Sequence, residues 1–334
     1  MPSSELELAE ALDLLACPRC SGALRRPGPC CVRCGASYVV QDGIPAMRLR
    51  SDARTEAVRD FYARAPFPAY PPRDTYSWLR ARAERSELAR LLDRAIPGDA
   101  RVLEVGCGTG QMSLFLATAD RLVIGADLSR PSLELAEAAR RRYGVSRALF
   151  VETDLRTPGL RPGAFDVVYS SGVLHHTPDP RASFAAVARL ARPGGMVVVG
   201  LYNAYARLPH RLRRGLARLT GFRWIPPDRV LRERRAEPAR REAWLRDQYQ
   251  HVEEHRHTLG EVQEWFRENR VEYVRAYPDT LLAQGPLRDD GLFEAAADDW
   301  GFENFLAQLS WARTLSHEGG LFVVVGRSAA QRPV

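Results

Sequence analysis

The chain has 334 residues, 45% hydrophobic and 27% charged, enough for one large domain with appendages or for two domains. No run of about 18 apolar residues occurs, so no membrane-spanning helix is expected; Ser3 to Leu15 lacks the basic start and apolar middle of an export signal, which points to the cytoplasm. The formal charge of +7 rests on 48 basic residues, every one an arginine. Beside so much Ala, Gly and Pro that bias reads as coding composition, although basicity of any origin attracts phosphates and acidic partners.

Leu6, Leu8, Leu12 and Leu15 predict a short opening helix. Cys17-Pro18-Arg19-Cys20 follows, then ten intervening residues, then Cys31-Val32-Arg33-Cys34. Four thiolates in two such knuckles can take the corners of one tetrahedron, as a structural zinc ion requires, and an all-cysteine set leaves no open position for catalysis. Disulfide pairing is the other use of these cysteines; the missing export signal and the tight knuckles weigh against it. Cys30 is a spare or alternative ligand, with Cys31 giving the two-residue spacing. Tyr38 to Pro45 closes the knuckle as a strand and a turn. Together these residues resemble the small zinc-ribbon protein that activates several tRNA and release-factor methyltransferases, here fused in cis, which implies a scaffold or docking module.

Asp52 to Tyr62 is expected to be helical. The segment after it, Phe61-Tyr62-Ala63-Arg64-Ala65-Pro66-Phe67-Pro68-Ala69-Tyr70-Pro71-Pro72, holds too many prolines for a regular element. It reads as a surface linker or as a roof over a site, with Tyr62 and Tyr70 as substrate candidates. Trp78 to Ala95 predicts one amphipathic helix, stopped at Pro97-Gly98.

From Arg101 strands and helices alternate, the pattern of a mostly parallel sheet with helices on both faces. Val102 to Val105 is a strand that empties into Gly106-Cys107-Gly108-Thr109-Gly110, and a helix follows from Gln111 to Ala117. Glycines of this kind let main chain approach a ligand, and a helix start presents free N–H groups. The dinucleotide fingerprint wants a glycine where Gln111 stands, so the nicotinamide reading fails. The next strand, Leu122 to Ala126, ends at Asp127, where a carboxylate can accept from both ribose hydroxyls; capping the following helix is its other use. That helix, Pro131 to Tyr143, is expected to be capped by Ser129 and stopped by Gly144. Leu149 to Thr153 delivers Asp154, and Phe165 to Ser171 runs into Gly172-Val173-Leu174-His175-His176-Thr177-Pro178-Asp179-Pro180. After the turn Arg192-Pro193-Gly194-Gly195, a fifth strand spans Met196 to Gly200 and leads to Leu201-Tyr202-Asn203.

The G-x-G-x-G turn with Glu104 before it resembles motif I of class I S-adenosylmethionine (SAM)-dependent methyltransferases. The unbroken series from Val102 to Asn203 resembles their type 11 group, which includes quinone-biosynthesis enzymes. The resemblance implies a Rossmann-like, seven-stranded, mostly parallel sheet. It places SAM against Glu104, Gly106, Cys107, Gly108, Gly110, Gln111, Asp127, Leu128, Asp154, Leu155, Ser170 and Ser171, with Asp127 on the ribose and Asp154 near the adenine amino group. Past the fifth strand, Leu259 to Asn269 predicts a helix, Val271 to Ala276 strand six and Leu321 to Val325 strand seven, the last making the antiparallel pair. The divisions expected are residues 1–50 (ribbon), 51–98 (linker helices), 99–203 (SAM-binding core), 204–257 (lid or substrate insertion) and 258–334, with a second insertion at 277–320. Long insertions of this kind tend to be lids or binding surfaces.

Arg207 to Leu219 is amphipathic. Leu208, Leu212, Leu216 and Leu219 stand on one side, and Arg207, Arg211, Arg214 and Arg218 on another. The arginine side reads as the solvated face of a lid helix, or as a grip for an anion, RNA or a membrane surface. His251, Glu253, His255 and His257 alternate. His251 and His255 suit a metal pair on a helix or, in an extended segment, a substrate pocket. Methyl transfer is an in-line displacement for which orientation matters most. Any base would come from His175, His176, Tyr202 or Asn203, although His176 can equally cap a turn and Asn203 orient a loop. The functions in play are a methyltransferase acting on a small molecule, with O, N, S and C acceptors all open; a tRNA-modifying methyltransferase; and a non-catalytic SAM-binding protein. Oligomeric state is not legible.

Overall fold

Seven strands form one sheet in the spatial order β10-β11-β9-β8-β5-β6-β7. The computed structural model describes residues 11–329 except 26–27, 65, 67, 69, 72, 119, 229–230, 233–237, 250, 252, 280–286, 289, 297–300 and 316–318, and except the side chains of 238–240, 243, 247 and 313. Leu6 and Leu8 of the expected opening helix, and Phe67 and Ala69 of the proline-rich stretch, lie outside the described residues. Leu12–Leu14 is a single 3-10 turn.

The ribbon consists of two short hairpins, β1 (Leu24–Arg25) with β2 (Cys30–Cys31) and β3 (Val40–Gln41) with β4 (Ile44–Pro45). Helix α1 (Ala53–Ala63) is capped by Asp52, which accepts from Thr55 N–H. The single helix expected over 78–95 is two, α2 (Tyr76–Ala83) and α3 (Glu87–Ala95). The break falls where Ser86 turns its hydroxyl onto Ala89 N–H and starts a new helix.

The core then alternates β5 (Arg101–Val105), α4 (Gln111–Leu116), β6 (Leu122–Asp127), α5 (Arg130–Tyr143), β7 (Ala148–Glu152), β8 (Phe165–Ser171), α6 (Pro180–Ala188) and β9 (Ala191–Tyr202). Strands β5 to β9 pair in parallel, and their near-continuous apolar runs are what a sheet covered on both faces requires. Alternate residues feed two cores. Leu103, Ile124, Val168 and Val197 pack on one face, and Val102, Val123, Val167 and Val198 on the other. Gly144 stops α5 in a left-handed conformation, as expected, but the Ser129 side chain makes no cap bond. It accepts instead from the Ser132 hydroxyl, at 2.9 Å. The turn expected at 192–195 is absorbed into β9 as an irregularity of register against β8, with Gly194 at φ +77°.

The rest comprises α7 (Leu208–Leu219), α8 (Pro238–Tyr249), α9 (Leu259–Glu268), β10 (Val271–Tyr277), α10 (Gly301–Thr314) and β11 (Leu321–Ser328). A capping box between Thr258 and Glu261 starts α9. Strand β11 lies between β9 and β10 and runs antiparallel to both. Helix α7 departs from the expectation in part: Arg211 and Arg218 are exposed, but so is the leucine side, and the other two arginines, Arg207 and Arg214, turn inward. Leu212 is 72% exposed and Leu219 85%, while Arg207 is fully buried. Arg207 donates to Gln248 Oε1, Gly319 O and Glu254 Oε2, and Arg214 also reaches Glu254. A carboxylate planted under this helix outweighs the amphipathic default. Residues 251 and 253–257 are not helical; His255 N–H donates to His175 O and His257 N–H to Tyr202 O, each within 2.9 Å. Among the described residues no helix is long and apolar enough to cross a membrane.

Candidate active site and metal centre

The carboxyl ends of β5, β6, β7 and β8 open onto a cavity of about 620 Å³. Its floor is the glycine turn. Gly106 has φ +73°, and a Cβ there would lie 2.2 Å from Val173 Cγ2, so only glycine fits. The turn is pinned from the neighbouring strand. Asp127 Oδ2 accepts from Gly108 N–H at 2.8 Å, and Oδ1 from Ser129 N–H at 2.7 Å. Burial raises the Asp127 pKa against these two bonds. Glu104, under the turn, accepts from the Ser113 hydroxyl, and burial pushes its pKa up to about 8.

Glu104, Gly106, Cys107, Gly108, Gln111, Asp127, Leu128, Asp154, Leu155 and Ser171 all line the cavity, as do Tyr62, His176 and Tyr202. The other candidates are placed elsewhere. Ser170 is buried and donates to Val105 O. Gly110 has φ +75° with Phe150 and Ala136 against it, so it serves packing. Tyr70 donates to Thr109 O at 2.6 Å, within the glycine turn. Asn203 orients a loop, accepting from Tyr205 and Ala206 N–H and donating to Gln308. His175 is fully buried with neither ring nitrogen bonded, its ring 3.9 Å from that of Tyr202. His251 stacks behind His176 at 3.8 Å, and His255 pairs with Glu253 Oε1. Neither lines the cavity.

His176 is the one candidate base whose tautomer is fixed. Its Nδ1 lies 2.8 Å from Glu253 O, and a carbonyl can only accept, so Nδ1 carries the proton and Nε2 is left with its lone pair. Burial lowers its pKa to about 4. Arg59, Arg82 and Arg156 also line the cavity. No local pattern distinguishes these three among 48 basic residues. They are held by Glu56 and Asp60, by Asp74, and by Asp52 respectively.

In the ribbon, the Sγ atoms of Cys17, Cys20, Cys31 and Cys34 all lie within 4.8 Å of one another. Cys17 and Cys34 are 3.6 Å apart and Cys20 and Cys31 3.5 Å. Tetrahedral zinc–thiolate bonds set sulfurs about 3.8 Å apart, so the four fit the ion. A Cβ on Gly22 would come within 3.2 Å of two of these sulfurs, so the cradle leaves no room for a side chain there. Cys30 stands outside the set. This is the one group of three or more metal-type ligands among the described residues.

A parallel sheet with a glycine turn after its first strand and acids ending the next two defines a class I methyltransferase-type nucleotide site. Residues 103–199 match the family model described as a methyltransferase domain, so this stretch is a methyltransferase domain of the type 11 group. An uncharacterized Synechococcus sp. protein is 28% identical over 71% of this chain and 65% of its own length. A Bordetella bronchiseptica ubiquinone biosynthesis O-methyltransferase is 42% identical over 31% of this chain and 43% of its own. The chain thus spans less than two thirds of either relative. Among solved structures, a chain from the complex between the Haloferax volcanii Trm112 methyltransferase activator and a methyltransferase superposes with a TM-score of 0.47, at 16% identity over 84% of this chain and 100% of that one.

Two outcomes follow. Cys20→Ser should abolish bound zinc, measured by plasma mass spectrometry, while Cys30→Ser keeps it; full zinc in Cys20→Ser would refute the ligand set. A carboxyl whose folded pKa is raised favours the native state at low pH, and that advantage is lost as pH rises through about 8. Burial lowers the pKa of His175 and His176, which acts in the opposite sense, so the readout is a difference: from pH 5 to pH 8 the melting temperature of ligand-free Glu104→Gln should rise relative to that of the ligand-free wild type.

Proposed function

We propose that the chain is a SAM-dependent methyltransferase that methylates a hydroxyl group of a small molecule. The observation that carries this reading is one continuous cavity joining the glycine turn and Asp127 to His176 and Tyr202. Its volume is that of a small-molecule site. SAM, when bound, supplies an electrophilic methyl on a sulfonium, and its positive charge would favour the ionised forms of Glu104 and Asp127 against the burial that raises the pKa of both. Asp127 would hold the ribose. Leu128 and Leu155 would provide apolar wall beside the base.

The chain's own contribution is to position the acceptor and take its proton. Tyr62 on α1 and Pro68 cover the cavity, and Tyr202 forms its far wall beneath Arg207, whose guanidinium lies 3.8 Å over the ring. His176 Nε2 is the free acceptor. A neutral imidazole kept from protonating by burial is a base across the physiological range, which suits an acceptor that arrives as O–H. The O-methyltransferase activity in the name of the Bordetella relative agrees with this choice. The fused ribbon acts as a scaffold, with zinc closing it.

Asp127→Ala should weaken SAM binding at least about tenfold by calorimetry, the loss of one good charge-assisted pair; unchanged affinity would remove the ribose assignment. Against a panel of phenolic acceptors and bulk tRNA, methyl transfer should appear with the former. His176→Ala should lower kcat about 10²- to 10⁴-fold with SAM affinity preserved, and the wild-type pH profile should show no inflection near the ordinary histidine value of about 6.5. Transfer to tRNA alone, or full activity in His176→Ala, would overturn the reading.

A further inference from the structure

Helix α7 turns its apolar side outward. Leu208, Leu212, Leu216 and Leu219 lie on one arc of the helix and are 44% to 85% exposed, whereas Ala217 and His210 on the opposite arc are buried. Trp224, just beyond the helix, is 53% exposed. Scattered surface leucines need no explanation, but four aligned on one helix with a tryptophan at its end form a patch. Helix α10 repeats the pattern, with Phe302, Phe305, Leu306 and Leu309 exposed and Ala307 and Trp311 buried. Tyr205, ahead of α7, meets Phe305 edge to face at 5.7 Å, which brings the two exposed faces together at that end.

Charge selects the partner. From Arg207 to Trp224 there are six arginines and no acidic residue. Arg207 and Arg214 are committed to Glu254 underneath. Arg211, Arg218 and Arg223 are exposed, and none pairs with a carboxylate among the described residues. Arg211 and Arg218 flank the leucine arc on one side. A second copy of the chain would not suit this face, because an isologous contact lays the same acid-free segment on both sides and brings its arginines no carboxylate. A leucine stripe with arginines along its edge and an indole at its end is the composition of a helix that lies in the headgroup layer of an anionic bilayer.

We infer that α7 docks the protein on anionic phospholipid membranes, with its leucines in the acyl boundary and Arg211, Arg218 and Arg223 among lipid phosphates. Burying leucine contributes through area removed from water, so loss of two should cost at least about tenfold in partitioning. The test uses the full zinc-loaded chain and vesicle co-sedimentation. Wild type should sediment with vesicles of equal phosphatidylcholine and phosphatidylglycerol, weakly with phosphatidylcholine alone, and less as salt is raised. Leu212→Gln with Leu219→Gln, and separately Arg211→Gln with Arg218→Gln, should each weaken sedimentation about tenfold or more without lowering the melting temperature, since these side chains are exposed. Absence of sedimentation with the anionic vesicles, or wild-type sedimentation by the leucine variant, would overturn the proposal. So would a dimer in light scattering that the leucine variant splits, which would assign the face to a second copy.

Discussion

Both oxygens of the Asp127 carboxylate are held by main-chain N–H groups, one from the glycine turn after β5 and one from the entry to α5. That pair of bonds fixes where two strand ends and two helix starts meet, and the cavity is what remains between them. Burial raises the pKa of this carboxyl, and the two N–H bonds oppose that shift. Each oxygen still has a second lone pair, so hydroxyl groups of a ligand can be received without breaking the bonds that hold the turn.

The parts of the molecule that were legible in the sequence are those set by near neighbours. The strand from Phe165 to Ser171 has the bounds its apolar run announces, and the two Cys-x-x-Cys knuckles meet because spacing and a tight turn bring them together. What long-range partners decide was not legible. Glu254 is far from α7 in sequence, yet it draws Arg207 and Arg214 inward and forces the leucines out. Removing one partner of such a buried pair typically costs about 3–5 kcal/mol, ample to reverse an amphipathic default. The histidines divide in the same way. Nothing local separates His175 from His176; one sits behind the wall and the other forms it, and residues 253–257 bond to both, His255 N–H to His175 O and Glu253 O to His176 Nδ1.

The ribbon is not an ornament on this arrangement. Ala46 bridges to Glu152 in parallel and Met47 N–H donates to Glu152 O, so chain leaving the ribbon continues the sheet beyond its edge strand β7. Met47 is fully buried beside Gly159, where any Cβ would collide with it. A few residues on, the Ser51 hydroxyl donates to Asp154 Oδ2, and Arg156 ties Asp52 to the same loop. Asp154 and Arg156 line the cavity, so these contacts join the ribbon directly to the wall of the site.

At the opposite wall the controlling quantity is dielectric. His176 and His175 are packed among His251, Tyr202 and Arg207, a group in which any added positive charge meets both burial and a nearby guanidinium. Such a cluster rejects protons, and the Glu253 carbonyl decides which nitrogen of His176 holds the one it keeps. Glu253 is itself fastened by Arg54 from α1 and by His255. The helix that covers the cavity and the segment that sets the tautomer are therefore joined by one ion pair.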